Sequence, residues 1–254
     1  MSQDTPLGLA GRRIIVTGGS RGVGRATALL CARLGADVGL TYLSRAAAAE
    51  GVAAEVRASG RRAAVVQAGF TDIAGSDAAI GTLADALGGL DGFVANAGIW
   101  PEAEVPLRDL DEARWRATIR IDLDGVFYGT RAALRRMASG SVVLVSSTAG
   151  QRGEAFHADY AATKGALISL AKSLAVECAP AVRVNCVAPG WIDTEMVAGA
   201  LAGEARPRAE AGIPLRRIAS ADDVAGPIAF LLGDLARHVT GEVLNVNGGS
   251  VLCG

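Results

Sequence analysis

Lysine is close to missing from this chain: of 25 basic residues only Lys164 and Lys172 are lysine, the other 23 being arginine. Long apolar runs are missing as well. No stretch approaches the ~18 residues of a membrane span, and Met1–Arg12 lacks the apolar centre of a secretory signal. Net charge is scarce, −1 over 254 residues, which removes the electrostatic footprint of a nucleic-acid or anionic-membrane binder. Cysteine is sparse: Cys31, Cys178, Cys186 and Cys253 show neither C-x-x-C spacing nor the density of a disulfide scaffold. They read as reduced thiols of a cytoplasmic protein, and no metal site is expected.

What is present is apolar and glycine-rich. Half the residues are hydrophobic, and 33 glycines with abundant alanine suit close packing of helices on a sheet. Runs at Arg13–Thr17, Asp37–Tyr42, Ala63–Gln67, Gly92–Ala95, Ser141–Ser146, Val182–Ala188 and Val243–Val246 read as strands, most of them apolar on both faces. Between them, Val23–Leu34, Arg45–Ser59, Ala74–Leu87, Asp111–Ala138, Ala158–Ala179 and Asp222–Leu232 carry helical spacing. The alternation runs the full length without a linker. It predicts an α/β fold in one doubly wound Rossmann-type domain over residues 1–254, a seven-stranded parallel sheet with helices on both faces. Trp191–Pro214 breaks the rhythm as an Ala/Gly/Arg-rich excursion after the sixth strand, and is expected to form a substrate lid over 191–214.

The first strand runs into Thr17-Gly18-Gly19-Ser20-Arg21-Gly22-Val23-Gly24. Glycines there let the backbone approach a pyrophosphate whose charge is met by helix N-terminal amides. Gly18–Gly22 also fits the G-x-S-x-G elbow of serine hydrolases, but that elbow sits in mid-sheet and needs a downstream acid and histidine, with only His157 and His238 on offer. An NAD-selective site places an acid about 20 residues past the loop. This chain has Thr41-Tyr42-Leu43-Ser44-Arg45 instead, so Arg21 and Arg45, with Ser20 and Ser44 as donors, are expected to meet the 2′-phosphate of NADP(H).

Ser147, Tyr160 and Lys164 are spaced S-x12-Y-x3-K. On a helix Tyr160 and Lys164 share a face, and an ammonium beside a phenol favours its phenolate. Tyr160 then exchanges a proton with a carbonyl or alcohol oxygen that Ser147 also holds.

With these motifs the chain resembles the classical short-chain dehydrogenase/reductase family over almost its full length, closest in flavour to the 3-oxoacyl carrier-protein reductases. The glycine motif matches at Gly18, Gly22 and Gly24, an N-A-G motif at Asn96-Ala97-Gly98, and a P-G motif at Pro189-Gly190 with Ile192 and Thr194 beside it. The resemblance implies that these residues, with Tyr42 and Phe70, line the cofactor. It also implies that Ile192 and Thr194 meet the nicotinamide carboxamide, that Lys164 holds the nicotinamide ribose, and that the protein is a homotetramer. Three positions depart from the pattern. The family's catalytic asparagine falls on Asp122, its adenine-contacting aspartate on Gly69, and the asparagine often preceding N-A-G on Ala95.

The expected function is therefore hydride transfer between NADP(H) and a small carbonyl or secondary alcohol, with NAD-dependent sugar or alcohol dehydrogenation and turnover-free dinucleotide sensing as rivals. Ala138-Ser139-Gly140 and Ala179-Pro180-Ala181 lack the basic residues that would dock an acidic carrier protein. Trp100, Phe156 and Trp191 fall at the expected active-site edge, as pocket wall or as core. His157 reads equally as site lining or as a solvent-facing helix start. Arg206 and Arg208 read as solvated charge, with attraction of an acidic substrate as the sharper alternative.

Overall fold

A computed structural model describes residues 8–252; the chain ends of the 1–254 domain expectation, including the fourth thiol at Cys253, lie outside the described residues. Seven strands form one parallel sheet in the order β3-β2-β1-β4-β5-β6-β7. They are β1 (Arg13–Val16), β2 (Asp37–Tyr42), β3 (Ala63–Gln67), β4 (Gly92–Ala95), β5 (Gly140–Val145), β6 (Val182–Pro189) and β7 (Val243–Val246). The order reverses between β1 and β4, which opens a crevice at the carboxyl ends of those strands, where ligands of such sheets sit. Most strand residues of β1, β2, β4, β5 and β6 are buried, which is why they read as continuous apolar runs.

Helices α1 (Gly22–Arg33), α2 (Ala46–Ala58) and α9 (Ala221–Leu232) cover one face. Ala28, Leu29, Val52, Val224 and Ile228 supply their contribution to the core on that side. The other face is covered by α3 (Ile73–Leu87), α5 (Gly125–Leu134) and α7 (Ala158–Glu177), packed around Leu83, Phe93, Leu144 and Leu167. Each fully buried Leu or Phe contributes roughly 1.5–3 kcal/mol relative to leaving it in water. Helix ends follow local chemistry: Asp72 caps α3 through the Gly75 amide at 2.8 Å, and Ser220 with Asp223 closes a capping box on α9. No described helix is long and apolar enough to cross a membrane.

Three local expectations are corrected. The single helix over Asp111–Ala138 is α4 (Glu112–Ile119), a π-turn (Arg120–Asp124) and α5, because the widened turn seats Asp122 in the interior. A five-residue helix, α6 (Thr148–Arg152), follows β5, too short to show a period. β1 stops at Val16, and Thr17 instead turns to bond the Asn96 and Ala97 amides. The excursion at 191–214 holds a 3-10 turn (Glu195–Val197) and α8 (Ala205–Gly212), and its Leu201 and Ile213 pack with Ile218 just beyond it in a small separate core.

Candidate active site

β5 delivers Ser147 to the carboxyl edge of the sheet, where its hydroxyl accepts from the Ala149 amide at 3.1 Å and so caps α6. α7 carries Tyr160 and Lys164 on one face. Lys164 Nζ lies 5.4 Å from the centre of the Tyr160 ring, donates to the Val145 carbonyl at 3.3 Å and stands 3.8 Å from Asp122 Oδ2. Asp122 is fully buried; its Oδ1 accepts from the Ile99 amide at 2.7 Å, while Oδ2 has no hydrogen-bond partner among the described residues. Gly98 fits between these groups for want of a side chain: a Cβ there would come within 3.1 Å of Asp122 Oδ1 and 3.3 Å of Lys164 Nζ.

Burial dominates the electrostatics. It pushes the Tyr160 phenol above its ordinary value; Lys164 pulls it down, Asp122 pushes it up again, and Ser147 opposes that. Burial also disfavours the Lys164 ammonium, but Asp122 and then Tyr160 more than restore it, so the net direction is upward and the cation persists. Asp122 itself is raised by burial, against the pull of Lys164 and the Ile99 amide. The sequence reading that the ammonium lowers the phenol is corrected in its net direction, because burial outweighs Lys164; Asp122, standing where the family pattern has a neutral amide, weakens the positive field as its charge leads one to expect. Asp122→Asn removes the negative charge. The rising limb of the alcohol-oxidation pH–rate profile, where Tyr160 loses its proton, should then move to lower pH, with the plateau rate changed less than about tenfold. An unmoved profile would show that the carboxylate acts only through the Ile99 amide.

Two cavities meet at Ser147 and Tyr160. The larger, about 560 Å³, follows the crevice from Lys164 past Asn96, Ala97 and Gly98 to the glycine loop, and on to Tyr42, Ser44, Arg45 and Phe70. Gly18, Ser20, Arg21, Gly22 and Val23 line it, as do Pro189, Gly190, Ile192 and Thr194. Gly24 does not; it lets α1 pack onto the loop, since a Cβ there would fall 2.3 Å from the Gly18 carbonyl. Asn96 ties the loop down by donating to the Thr17 carbonyl at 2.9 Å. No side chain caps α1, whose first-turn amides are thus available to an anion. This uncapped, glycine-walled cradle fits the pyrophosphate of a dinucleotide.

At the far end of that cavity sequence reasoning missed a partner. Arg21 Nη1 and Arg45 Nη1 both reach Oε2 of Glu195, at 3.2 and 2.6 Å. Hydrogen bonding and charge from Arg45, with a smaller share from Arg21, hold the Glu195 carboxyl below the usual range. Gly69 lines the same cavity, with no side chain to offer.

The smaller cavity, about 310 Å³, opens on the other side of Tyr160 and is walled by Trp100 and Trp191, with Arg152, Glu154, Arg208 and Ile213 among its lining. Trp100 stacks on His157 at 4.7 Å and meets Trp191 edge-on at 5.9 Å. His157 is buried beneath Trp100 rather than facing solvent. Phe156 is half exposed and lies outside both linings. Arg206 is paired with Asp193 at 2.7 Å and does not line the cavity; Arg208 does. Cys31 and Cys186 are free thiols that burial pushes up to about 12, and neither lines either of these two cavities.

The comparisons agree with this geometry. Residues 18–250 match the family profile described as "Enoyl-(Acyl carrier protein) reductase". The chain is 43% identical over 244 residues to cis-4-hydroxycyclohexanecarboxylate dehydrogenase of Sinomonas cyclohexanicum, covering 94% of this chain and 96% of that one. It is 40% identical to acetoacetyl-CoA reductase of Synechocystis sp., covering 95% and 97%. A short-chain dehydrogenase from Burkholderia cenocepacia, solved in complex with NADP, superimposes with a TM-score of 0.89 at 37% identity, covering 95% of this chain and 98% of that one.

Proposed function

The chain belongs to the short-chain dehydrogenase/reductase family of oxidoreductases, and from that premise we propose that it uses NADP(H) to interconvert a small ketone and its secondary alcohol. The observation that carries this is the meeting of two cavities at Ser147 and Tyr160, with Lys164 behind the phenol. When bound, the reduced dinucleotide supplies a hydride to the carbonyl carbon. Tyr160 Oη gives its proton to the carbonyl oxygen, and Ser147 Oγ donates a hydrogen bond to the same oxygen. Lys164 Nζ, kept charged by Asp122, offsets the negative charge left on Tyr160 Oη. Burial raises the phenol, which leaves Tyr160 better suited to give this proton than to take one up from an alcohol. The segment at 191–214, which supplies Trp191 and Arg208 to the smaller cavity, acts in this reading as the lid over the substrate.

The preference for NADP(H) rests on Arg21 and Arg45 at the end of the larger cavity. Their shared pairing with Glu195 also supports a second reading, an NAD-dependent dehydrogenase whose arginines are already neutralised. Steady-state KM values for NADPH and NADH on one ketone decide between them; a tenfold preference for NADH sinks the first. Under the first reading Glu195 competes with the 2′-phosphate for both guanidinium groups. Glu195→Gln should then tighten NADPH about threefold to fivefold, the scale of one exposed charge pair, and leave NADH unmoved. Equal changes for the two dinucleotides would remove the arginines from the argument.

A further inference from the structure

Resting on the ketone–alcohol reading above, we propose that the substrate of the smaller cavity carries a carboxylate on an apolar body, and that Arg208 is the residue that selects it. Arg206 and Arg208 stand two residues apart on α8 and look alike in sequence, but the fold separates them. Arg206 is consumed by Asp193 at 2.7 Å and Glu210 at 3.8 Å. Arg208 lines the cavity that opens on Ser147 and Tyr160, and its guanidinium has no hydrogen bond or ion pair among the described residues. An arginine in a pocket wall with no acid of its own presents a planar fork that matches a carboxylate.

The other charged groups of the cavity do not cancel it. Glu154 also lines the wall, but burial raises its carboxyl, while His157, Trp100 and Arg152 stabilise the charged form. Arg152 lines the same wall and forms no ion pair either, but its charge acts on Glu154, which sets Arg208 apart as the arginine carried by α8 with no acid acting on it among the described residues. The remaining wall sets Trp100, Trp191, Met196 and Ile213 beside the hydroxyls of Thr148, Thr194 and Ser250, a mixed surface with an aromatic side. At about 310 Å³ the space is at the small end of ligand pockets, suited to a compact ring or short chain and too small to enclose the long thioester arm of a carrier.

The test uses 4-acetylbenzoate and its neutral counterpart 4-acetylbenzamide, with wild type and Arg208→Gln. Calorimetric titration into NADP-bound enzyme measures affinity, and NADPH oxidation measures turnover. Wild type should favour the carboxylate at least tenfold in affinity and in kcat/KM, the difference lying in KM. Arg208→Gln should bring that ratio close to one. Equal handling of the two probes by wild type, absence of carboxylate binding, or a ratio that survives in Arg208→Gln overturns the inference. So does faster reduction of a neutral 3-oxoacyl thioester than of the acid. Arg208-dependent carboxylate binding without reduction of either ketone would uphold the anion site and sink the ketoreductase reading; reduction of both ketones with equal kcat/KM would do the reverse.

Discussion

Tyr160→Phe is expected to lower kcat about a thousandfold, within the 10²–10⁴ that a positioned proton donor supplies, while the Kd for NADPH stays within about threefold. The substitution removes one oxygen. The ring that the Lys164 ammonium faces at 5.4 Å remains, and so do the Val145 and Asp122 contacts that hold that ammonium. Only the proton on Oη is lost, and nothing else at the junction of the cavities replaces it: Ser147 is held as a cap on α6, and Lys164 sits behind the phenol. Turnover with NADPH and a ketone gives kcat, and fluorescence titration of NADPH gives the affinity. A variant that keeps its turnover removes Tyr160 from the chemistry. One that loses affinity as steeply as rate has lost the cleft instead. A dinucleotide sensor has no turnover to lose, so this pair of measurements also separates that rival.

Arg114→Leu should cost about 3–5 kcal/mol of stability, the cost of stranding a buried charge, read as a melting temperature lower by roughly 10 °C. Asp159, next to Tyr160 on α7, is fully buried; Arg114 Nε donates to it at 3.0 Å and Thr118 Oγ1 at 2.9 Å. These bonds join α4 to the start of α7, the helix that carries Tyr160. Burial pushes the Asp159 carboxyl up, but Arg114, Thr118 and the Tyr160 amide together hold it below its ordinary value. The sign follows. With a depressed folded value, the contribution is fully present above the ordinary carboxylate value near 4 and is lost as pH falls through the lowered one. In the variant burial is less opposed and Asp159 takes up a proton more readily. The gap between wild type and Arg114→Leu should therefore be widest at neutral pH and shrink on acidification, by urea or thermal unfolding at each pH. A gap that is flat with pH would assign the loss to packing of the arginine stem.

The residues that make the sheet were legible in the chain because a parallel strand covered on both faces needs apolar residues at every position. Val142, Val143 and Leu144 of β5 are all fully buried. The pairing of Tyr160 with Lys164 was legible because i and i+4 on a helix need no knowledge of the rest of the fold. What escaped depends on long-range pairing. Glu195 is far in sequence from Arg21 and Arg45, and no local pattern ties an acid in a 3-10 turn to a glycine loop. Asp159 reads as an ordinary acid in a first helical turn until Arg114 is brought against it. His157 shows no sign in sequence of lying under Trp100. α6 was missed because five residues carry less than two periods, although Ser147 at its head is the type of residue that starts a helix.

The π-turn at Arg120–Asp124 gives the chain one residue more than an α-helix of the same span would hold. Each α-helical residue advances the side-chain direction by about 100°, so the extra one resets the phase between α4 and α5. α4 can aim Arg114 and Thr118 at Asp159 while α5 turns Val126 and Ala133 to the sheet. An uninterrupted helix would satisfy one of those alignments at the expense of the other. The Asp122 carboxylate facing the Lys164 ammonium thus owes its inward direction to a misfit between two helices that each follow their own partner.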